Sequence, residues 1–347
     1  MCLKIGIVGD IHWSRYSSIL RQRGDKYSVR LENCIKSINW AEKLFEQVKC
    51  DTIVYLGDFF DSSELNSEEI TAIKDIEWNC IEHHFLVGNH EMGINDLSYS
   101  SSHLFNYIHM GANSSISYIE DKPITSIYDD IDLVYIPYIL EENRKPLIEY
   151  MTDNSHKKIV FSHNDIAGIQ MGKFISKNGF TIEEIKNNCD LFINGHLHNG
   201  AKVDDGIINV GNLTGQNFSE DAFTYDHCAM ILDTDTMRIE VYENPYAINF
   251  YKIDTTTQKF NIEDLKNNAI VTIKTTQEEQ YKYKQILDDS DKVITSRLII
   301  APSDNTNTTN NNKELLSVNH LDKFSEYVLD TIGTSDVVKQ ELGEVLS

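Results

Sequence analysis

Residues 3–12 read Leu3-Lys4-Ile5-Gly6-Ile7-Val8-Gly9-Asp10-Ile11-His12. A short apolar, β-branched run stops at a glycine and hands over at once to a carboxylate and an imidazole. A run this short is expected to be a buried strand. Polar residues just past the C-terminal ends of strands are where open α/β sheets build their sites. The same grammar recurs along the chain at 52–56 (TIVYL), 84–87 (HFLV), 132–136 (DLVYI), 158–161 (KIVF), 191–193 (LFI) and 207–210 (IINV). Each run ends at a Gly, Asp, Asn, Pro or His cluster. Helix-period segments lie between them, notably 28–49 and 66–83. Strands alternating with helices predict an α/β domain. Residues 223–242 read as hairpin strands, with Asp235 near the turn.

After about residue 250 the pattern changes. Residues 269–300 read strand, helix, strand, a small α/β unit. A polar stretch, Ser303 to Asn312, is expected to be a flexible linker. Beyond it Leu315, Leu316, Leu321, Phe324, Tyr327, Val328 and Ile332 recur at helical spacing, and Ser335 suits the cap of a second short helix.

Composition excludes several classes. The chain has 347 residues with 31 basic against 54 acidic, a formal charge of −23. Hydrophobic residues make up 41%, enough for a sizeable core, and 5 prolines with 17 glycines rule out a fibrous protein. No segment reaches the roughly 18–20 apolar residues of a membrane span, and the N-terminal apolar run is too short for a signal peptide. The six cysteines form no C-x-x-C pair and read as reduced core thiols. A cytoplasmic protein is expected. The acidity by itself argues against nucleic acid, because phosphate affinity comes from Lys and Arg.

The chemistry gathers at strand ends. Asp10-Ile11-His12 follows the first run and Gly57-Asp58-Phe59-Phe60-Asp61 the second, then come Gly88-Asn89-His90-Glu91, Ser162-His163 and Gly195-His196-Leu197-His198. Carboxylates, an amide oxygen and imidazoles, with no thiolate, suit Mn, Fe, Zn or Mg. D-x-H and H-x-H put alternate side chains on one side of an extended chain, within reach of one ion. A carboxylate such as Asp58 can bridge two ions about 3.5–4 Å apart, the arrangement that drives in-line displacement at phosphorus. Phosphate-ester hydrolysis is the predicted reaction class. Gly168 to Lys173 is no P-loop, since three residues rather than four separate its glycines.

This ordered set, D-x-H, G-D-x-x-D, G-N-H-[DE], H and G-H-x-H, resembles the calcineurin-like metallophosphoesterase superfamily over residues 3–215. The resemblance implies a four-layer α/β/β/α sandwich. It implies one metal held by Asp10, His12, Asp58 and His198, and another by Asp58, Asn89, His163 and His196. His90 would protonate the leaving oxygen, supported by Glu91. Asp61-Ser62-Ser63 stands where protein Ser/Thr phosphatases carry Asp-Arg-Gly.

The Gly57–Asp61 motif, Tyr135-Ile136-Pro137-Tyr138 and Ser162-His163-Asn164 are most similar to the SbcD-type DNA-repair nuclease subunit, in its short phage recombination-endonuclease form. That likeness implies a nuclease domain at 1–250, a capping domain at 251–302, a linker at 303–313 and helices at 314–347 that dock on an SMC-like, SbcC-type ATPase. It also implies a homodimer that works on DNA ends in recombination and double-strand-break repair, with two divalent ions, Mn²⁺ ahead of Mg²⁺. Asp61, where cellular members carry His, is a candidate neighbour of the ligands. Gly211-Asn212-Leu213 replaces the family's Gly-Ser or Gly-Thr-Pro turn.

Four of the seven arginines, Arg15, Arg21, Arg23 and Arg30, fall with Lys26 between residues 13 and 30, interleaved with Trp13, Tyr16 and Tyr27. Aromatics among cations suit unpaired bases and phosphates, so this segment is expected to face DNA. His83, His84, His103, His109, His156, His227 and His320 lack ligand spacing and read as surface or satisfied core residues. Tyr281 and Tyr283 read as packing for the small unit. The alternative substrate is a small phosphodiester or nucleotide, and an intact ligand set disfavours a non-enzymatic scaffold. Weak DNA binding by this chain alone is expected, with the ATPase supplying most of the grip.

Overall fold

Alternation along the strands builds the layers. In the computed structural model, which describes residues 3–17, 19–80, 82–108, 116–171 and 174–301, successive side chains of each central strand enter different cores. β1 (Lys4–Val8) leads to α1 (Val29–Val48), β2 (Thr52–Tyr55), α2 (Ser67–Ala72) and β3 (Glu82–Leu86). A small hairpin, β4 (Met92–Gly93) and β5 (Asp96–Ser100), precedes β6 (Ile116–Glu120), β7 (Ile124–Tyr128), β8 (Ile131–Ile136) and β9 (Lys157–Ser162). Four two-residue strands follow, β10 (Ile166–Ala167), β11 (Gln170–Met171), β12 (Phe174–Ile175) and β13 (Phe180–Thr181), then α3 (Ile182–Asn188). β14 (Leu191–Asn194), β15 (Ala201–Asp204), β16 (Ile207–Asn209), β17 (Cys228–Asp233) and β18 (Arg238–Glu243) complete the main sheets. β19 (Asn249–Asp254), β20 (Ala269–Thr275), α4 (Gln280–Asp288) and β21 (Val293–Ile300) form the last group.

Two six-stranded sheets run β18-β17-β1-β2-β3-β6 and β15-β16-β14-β9-β8-β7. Ile5, Ile7, Val54 and Leu56 meet Leu133, Tyr135, Ile159 and Phe161 between them. The alternate residues Val8, Ile53 and Tyr55 face Leu31, Ile38 and Phe45 of α1. Val134, Ile136, Val160 and Phe192 face Ile185 of α3 on the other side. A period of two on each strand therefore produces helix, sheet, sheet, helix, the expected four-layer sandwich. Gly6 is required where α1 crosses, because a Cβ there would lie 2.8 Å from the Phe45 ring.

The small sheet β19-β20-β21 packs Tyr251, Val271 and Ile273 against Tyr283 and Leu287 of α4. Residue 251 falls inside β19, and residues up to Ile299 make one compact unit. The hairpin expected at 223–242 is β17 and β18. The helix expected over 66–83 is shorter. α2 starts at an Asn66–Glu69 capping box and stops at Ala72. Side chains of α1 then take the backbone bonds that a longer helix would make. Asn39 accepts from Glu77 N and donates to Asp75 O, and Glu42 accepts from Asn79 N. Ile73, from a single 3₁₀ turn (Ile73–Asp75), and Ile76 and Trp78, from the irregular stretch after it, enter the α1 core.

No helix among the described residues is long and apolar enough to cross a membrane. The described cysteines are free thiols. The linker at 303–313 and the docking helices at 314–347 lie outside the described residues, as do Cys2, His109, Gly172, Lys173 and His320.

Candidate dimetal centre

β1, β2 and β3 run parallel in one sheet, and β8, β9 and β14 run parallel in the other. Their C-terminal ends meet on one edge of the sandwich, which brings all the expected ligands together. His12 Nε2 lies 3.0 Å from His198 Nε2, 3.9 Å from Asp10 Oδ2 and 4.0 Å from Asp58 Oδ2. His163 Nε2 lies 3.2 Å from both Asp58 Oδ2 and Asn89 Oδ1, and His196 Nδ1 is 3.0 Å from the same Asn89 oxygen. Asp10, His12 and His198 form one cluster of ligand-capable atoms, and Asp58, His163 and His196 another. Asp58 approaches both.

The loops carrying these groups are shaped for close approach. His12, Asp58 and His196 have φ of 50°, 47° and 70°. Non-glycine residues held in this left-handed region cost about 1–3 kcal/mol each, a strain that collects at functional sites. Ile11 N and His12 N both donate to Asp58 O, at 3.1 and 2.9 Å, lacing the first two loops together. Gly88 leaves room for Asp58, whose Oδ1 a Cβ there would meet at 2.1 Å. His90 N donates to that Oδ1 at 2.9 Å.

Cations fit this donor set. Asp10 Oδ2 is buried with no hydrogen-bond partner among the described residues, a costly state for an isolated carboxylate oxygen. Burial drives the carboxyl of Asp58 upward, but His163 and His12 outweigh it and hold it well below the usual carboxylate range. Burial likewise lowers His163, and Asp58 with Asp10 more than reverses this, to about 9. Imidazolium charge here stands in for positive charge that the carboxylates require.

The groups around the ligands are as informative. Asp61 Oδ1 lies 2.9 Å from His12 Nδ1 and 3.5 Å from His90 Nδ1, and Gln216 Nε2 donates to it at 3.1 Å. It orients His12 from behind and holds His90. Its hydrogen bond is the main reason that His90 is raised to about 9. The His90 side chain is 41% exposed, beside the His12 ring at 4.7 Å between centroids. Glu91 departs from the expected role. It is fully buried, accepts from Phe60 N, Gly88 N and Ser102 Oγ, and is pushed up to about 7 by burial. It braces the ligand loops, while Asp61 supports the His90 ring.

Sequence reading missed Glu220 and Asp165. Glu220 Oε1 lies 3.3 Å from His198 Nδ1, and Asp165 Oδ1 lies 3.4 Å from His196 Nε2. The signal for Asp165 was its place two residues after His163. Glu220 had none beyond a polar loop.

The basic segment also differs from expectation. Arg30 is 1% exposed and donates to Gly215 O, Ile11 O and His12 O. It braces the first metal loop and faces no solvent. Trp13 and Tyr27 are buried in the α1 core. Arg15 and Arg23 pair with Glu68, and Lys26 pairs with Asp75. Arg21 is exposed with no ion pair among the described residues. Arg15 and Tyr16 do line a cleft of about 500 Å³ that reaches Asp61. His83 and His84 are core residues: His84 is bonded to Glu82 and Glu120, and His83 Nε2 to Glu42, while His83 Nδ1 is buried without a hydrogen-bond partner among the described residues.

A dimetal phosphatase from Danio rerio is 12% identical, over 67% of this chain and 92% of that one, with a TM-score of 0.39. The NAD nucleotidase of Haemophilus influenzae is 12% identical over 85% of this chain and 57% of its own, with a TM-score of 0.35. No curated protein matches the chain. The profile of the calcineurin-like phosphoesterases matches residues 3–200, a stretch that contains every ligand motif. The chain therefore belongs to the calcineurin-like phosphoesterase family, metal-dependent hydrolases of phosphoesters that use two divalent ions.

Proposed function

We propose that this protein is a nuclease subunit that hydrolyses phosphodiester bonds at DNA ends during recombination and double-strand-break repair. In this reading Asp10, His12, Asp58 and His198 hold one ion, and Asp58, Asn89, His163 and His196 hold the other. The ions, Mn²⁺ by preference, supply charge neutralisation at phosphorus and an acidified water. His90 gives its proton to the leaving oxygen, with Asp61 keeping the ring charged and oriented. Glu91 and Arg30 fix the loops, and Asp61 and Glu220 set the tautomers of His12 and His198 from behind. The C-terminal helices would dock on an SMC-like ATPase, and the protein would act as a homodimer.

The observation that carries this reading is the complete ligand set lying between two clefts. One holds Arg15 and Tyr16 beside Asp61, and the other holds Tyr138 beside His196. An extended substrate that crosses the ions has room on either side. The second reading, a small phosphodiester or nucleotide, is favoured by the ion pairing of Arg15, Arg23 and Lys26.

The test compares linear duplex DNA, hairpin DNA and bis-p-nitrophenyl phosphate, with Mn²⁺ or Mg²⁺ and with or without the ATPase. Metal-dependent DNA cleavage, abolished by Asp58→Asn, is expected. Turnover of the small ester with all DNA left intact selects the second reading.

A further inference from the structure

We propose that the cleft beside His196 seats unpaired bases of the strand whose phosphate lies at the dimetal centre; this rests on the nuclease reading above. The cleft has a volume of about 900 Å³ and is walled by the β4–β5 hairpin, the turn after β6 and the segment that follows β8. That is the upper end of the roughly 300–1,000 Å³ range of ligand sites, far more than a phosphate group needs.

One of its lining residues, Tyr138, neighbours a candidate ligand. The Tyr138 ring lies 5.8 Å from the His196 ring between centroids. Tyr138 N donates to Val87 O at 2.9 Å, one residue before the Gly88-Asn89 loop, so this wall is registered to the metal site. Leu97, Tyr150 and Ile94 line the same cleft as Tyr138.

Ile94 is the telling residue. It is 83% exposed at the hairpin tip. It has φ 48° and Asn95 has φ 56°, a turn geometry that favours Asn and Gly and penalises a β-branched side chain. An aliphatic group held out to solvent at the lip of a cleft that Tyr138 also lines suits a flat apolar body attached to a phosphodiester.

Charge agrees. Lys122 has no ion pair among the described residues, and Lys145 lies 3.5 Å from Glu149. The carboxylates that line the cleft are engaged, Asp96 by Ser98 and Asp121 by His103 at 3.7 Å. In a protein of charge −23 this is a near-neutral path. Binding here would come from stacking, which tolerates any base, and would owe little to phosphate contacts. A paired duplex hides the faces that the cleft needs.

The experiment measures binding by fluorescence anisotropy with the full chain in EDTA. The probes are an oligothymidylate, an abasic strand of equal length, a blunt duplex and thymidine monophosphate. The wild type is expected to bind the oligothymidylate at least tenfold more tightly than the abasic strand or the duplex. Ile94→Asp and, separately, Tyr138→Leu should each shrink that ratio at least fivefold. Ile94 is on the surface, so its variant folds whatever becomes of the other. Equal binding of thymidylate and abasic strands, or ratios unchanged in both variants, overturns the proposal. Thymidine monophosphate that competes as well as the oligomer overturns it in favour of a nucleotide site. Wild type that cleaves DNA with Mn²⁺ but shows no base-dependent binding refutes this inference alone. Wild type that hydrolyses bis-p-nitrophenyl phosphate but no DNA refutes the nuclease reading and this inference with it.

Discussion

Glu220 is 2% exposed, yet its carboxylate is fully engaged. Oε1 accepts from Asn212 Nδ2 at 2.9 Å and lies 3.3 Å from His198 Nδ1, while Oε2 accepts from Gln216 N at 2.8 Å. A carboxylate behind an imidazole fixes the tautomer, so His198 turns its Nε2 lone pair toward Asp10 and His12. Loss of such a partner weakens metal binding about 10–100-fold. Glu220→Gln keeps the shape and is expected to show that loss in isothermal titration calorimetry, with thermal stability of the apoprotein little changed. An affinity equal to wild type would remove Glu220 from the site. His163 gives a second prediction at this scale. With its folded value at about 9, the metal-free protein carries this imidazole protonated at neutral pH. A ligand nitrogen must be free of its proton. Metal uptake should therefore release protons, and apparent affinity should climb with pH until about 9. Calorimetry in buffers of different ionisation enthalpy reads the proton count directly, and a count of zero contradicts the assignment.

Among the elements, α1 does more than cover a sheet. Its N-cap Ser28 sets Arg30 in the first turn, and the guanidinium reaches under the β1 loop to three carbonyls. Arg30→Met fills the space but strands buried acceptors, each costing about 1–3 kcal/mol when left unpaired. A loss of about 2–3 kcal/mol in urea unfolding is expected, while the exposed Arg21→Met should stay within about 0.5 kcal/mol. Equal effects would refute the bracing role. This residue also marks what the sequence could convey. The strands and their ligand tails were legible because a buried strand's alternation and the polar residues after it are local properties. The seven candidate ligands follow from those tails. The charge state of residues 13–30 is not local, because the acids that neutralise it, Glu68 and Asp75, sit about forty to fifty residues onward in and after α2. The end of α2 was hidden for the same reason, since it is set by Asn39 and Glu42 of α1. Glu220 reaches His198 across a loop whose path no periodicity describes.

For the whole molecule, on the proposed nuclease reading, the formal charge of −23 shapes how DNA can be held. Each phosphate neutralised by Lys or Arg adds about 0.7–0.9 to the magnitude of the log–log salt slope, and binders with 6–10 such contacts lose about 10³–10⁵ in affinity between 50 and 200 mM salt. Here Arg15, Arg23 and Lys26 are already paired with carboxylates, and Arg30 is buried. Within residues 13–30 and the linings of the two clefts, Arg21 and Lys122 remain as exposed cations without an ion pair among the described residues. A strand held beside the ligands through these two predicts a slope of magnitude about 2 or less. Divalent ions at the ligand set would add positive charge locally, but they act on the one phosphate being cut. Grip on a long duplex must then come from elsewhere, and an ATPase partner is the proposed source. The measurement is fluorescence anisotropy of the isolated chain on single-stranded DNA across that salt range, repeated with the partner present. A shallow slope alone and a steep one in the complex is the expected pair of results. A steep slope for the isolated chain would mean that the Glu68 and Asp75 pairs open to release their cations to DNA, and Glu68→Gln should then strengthen binding.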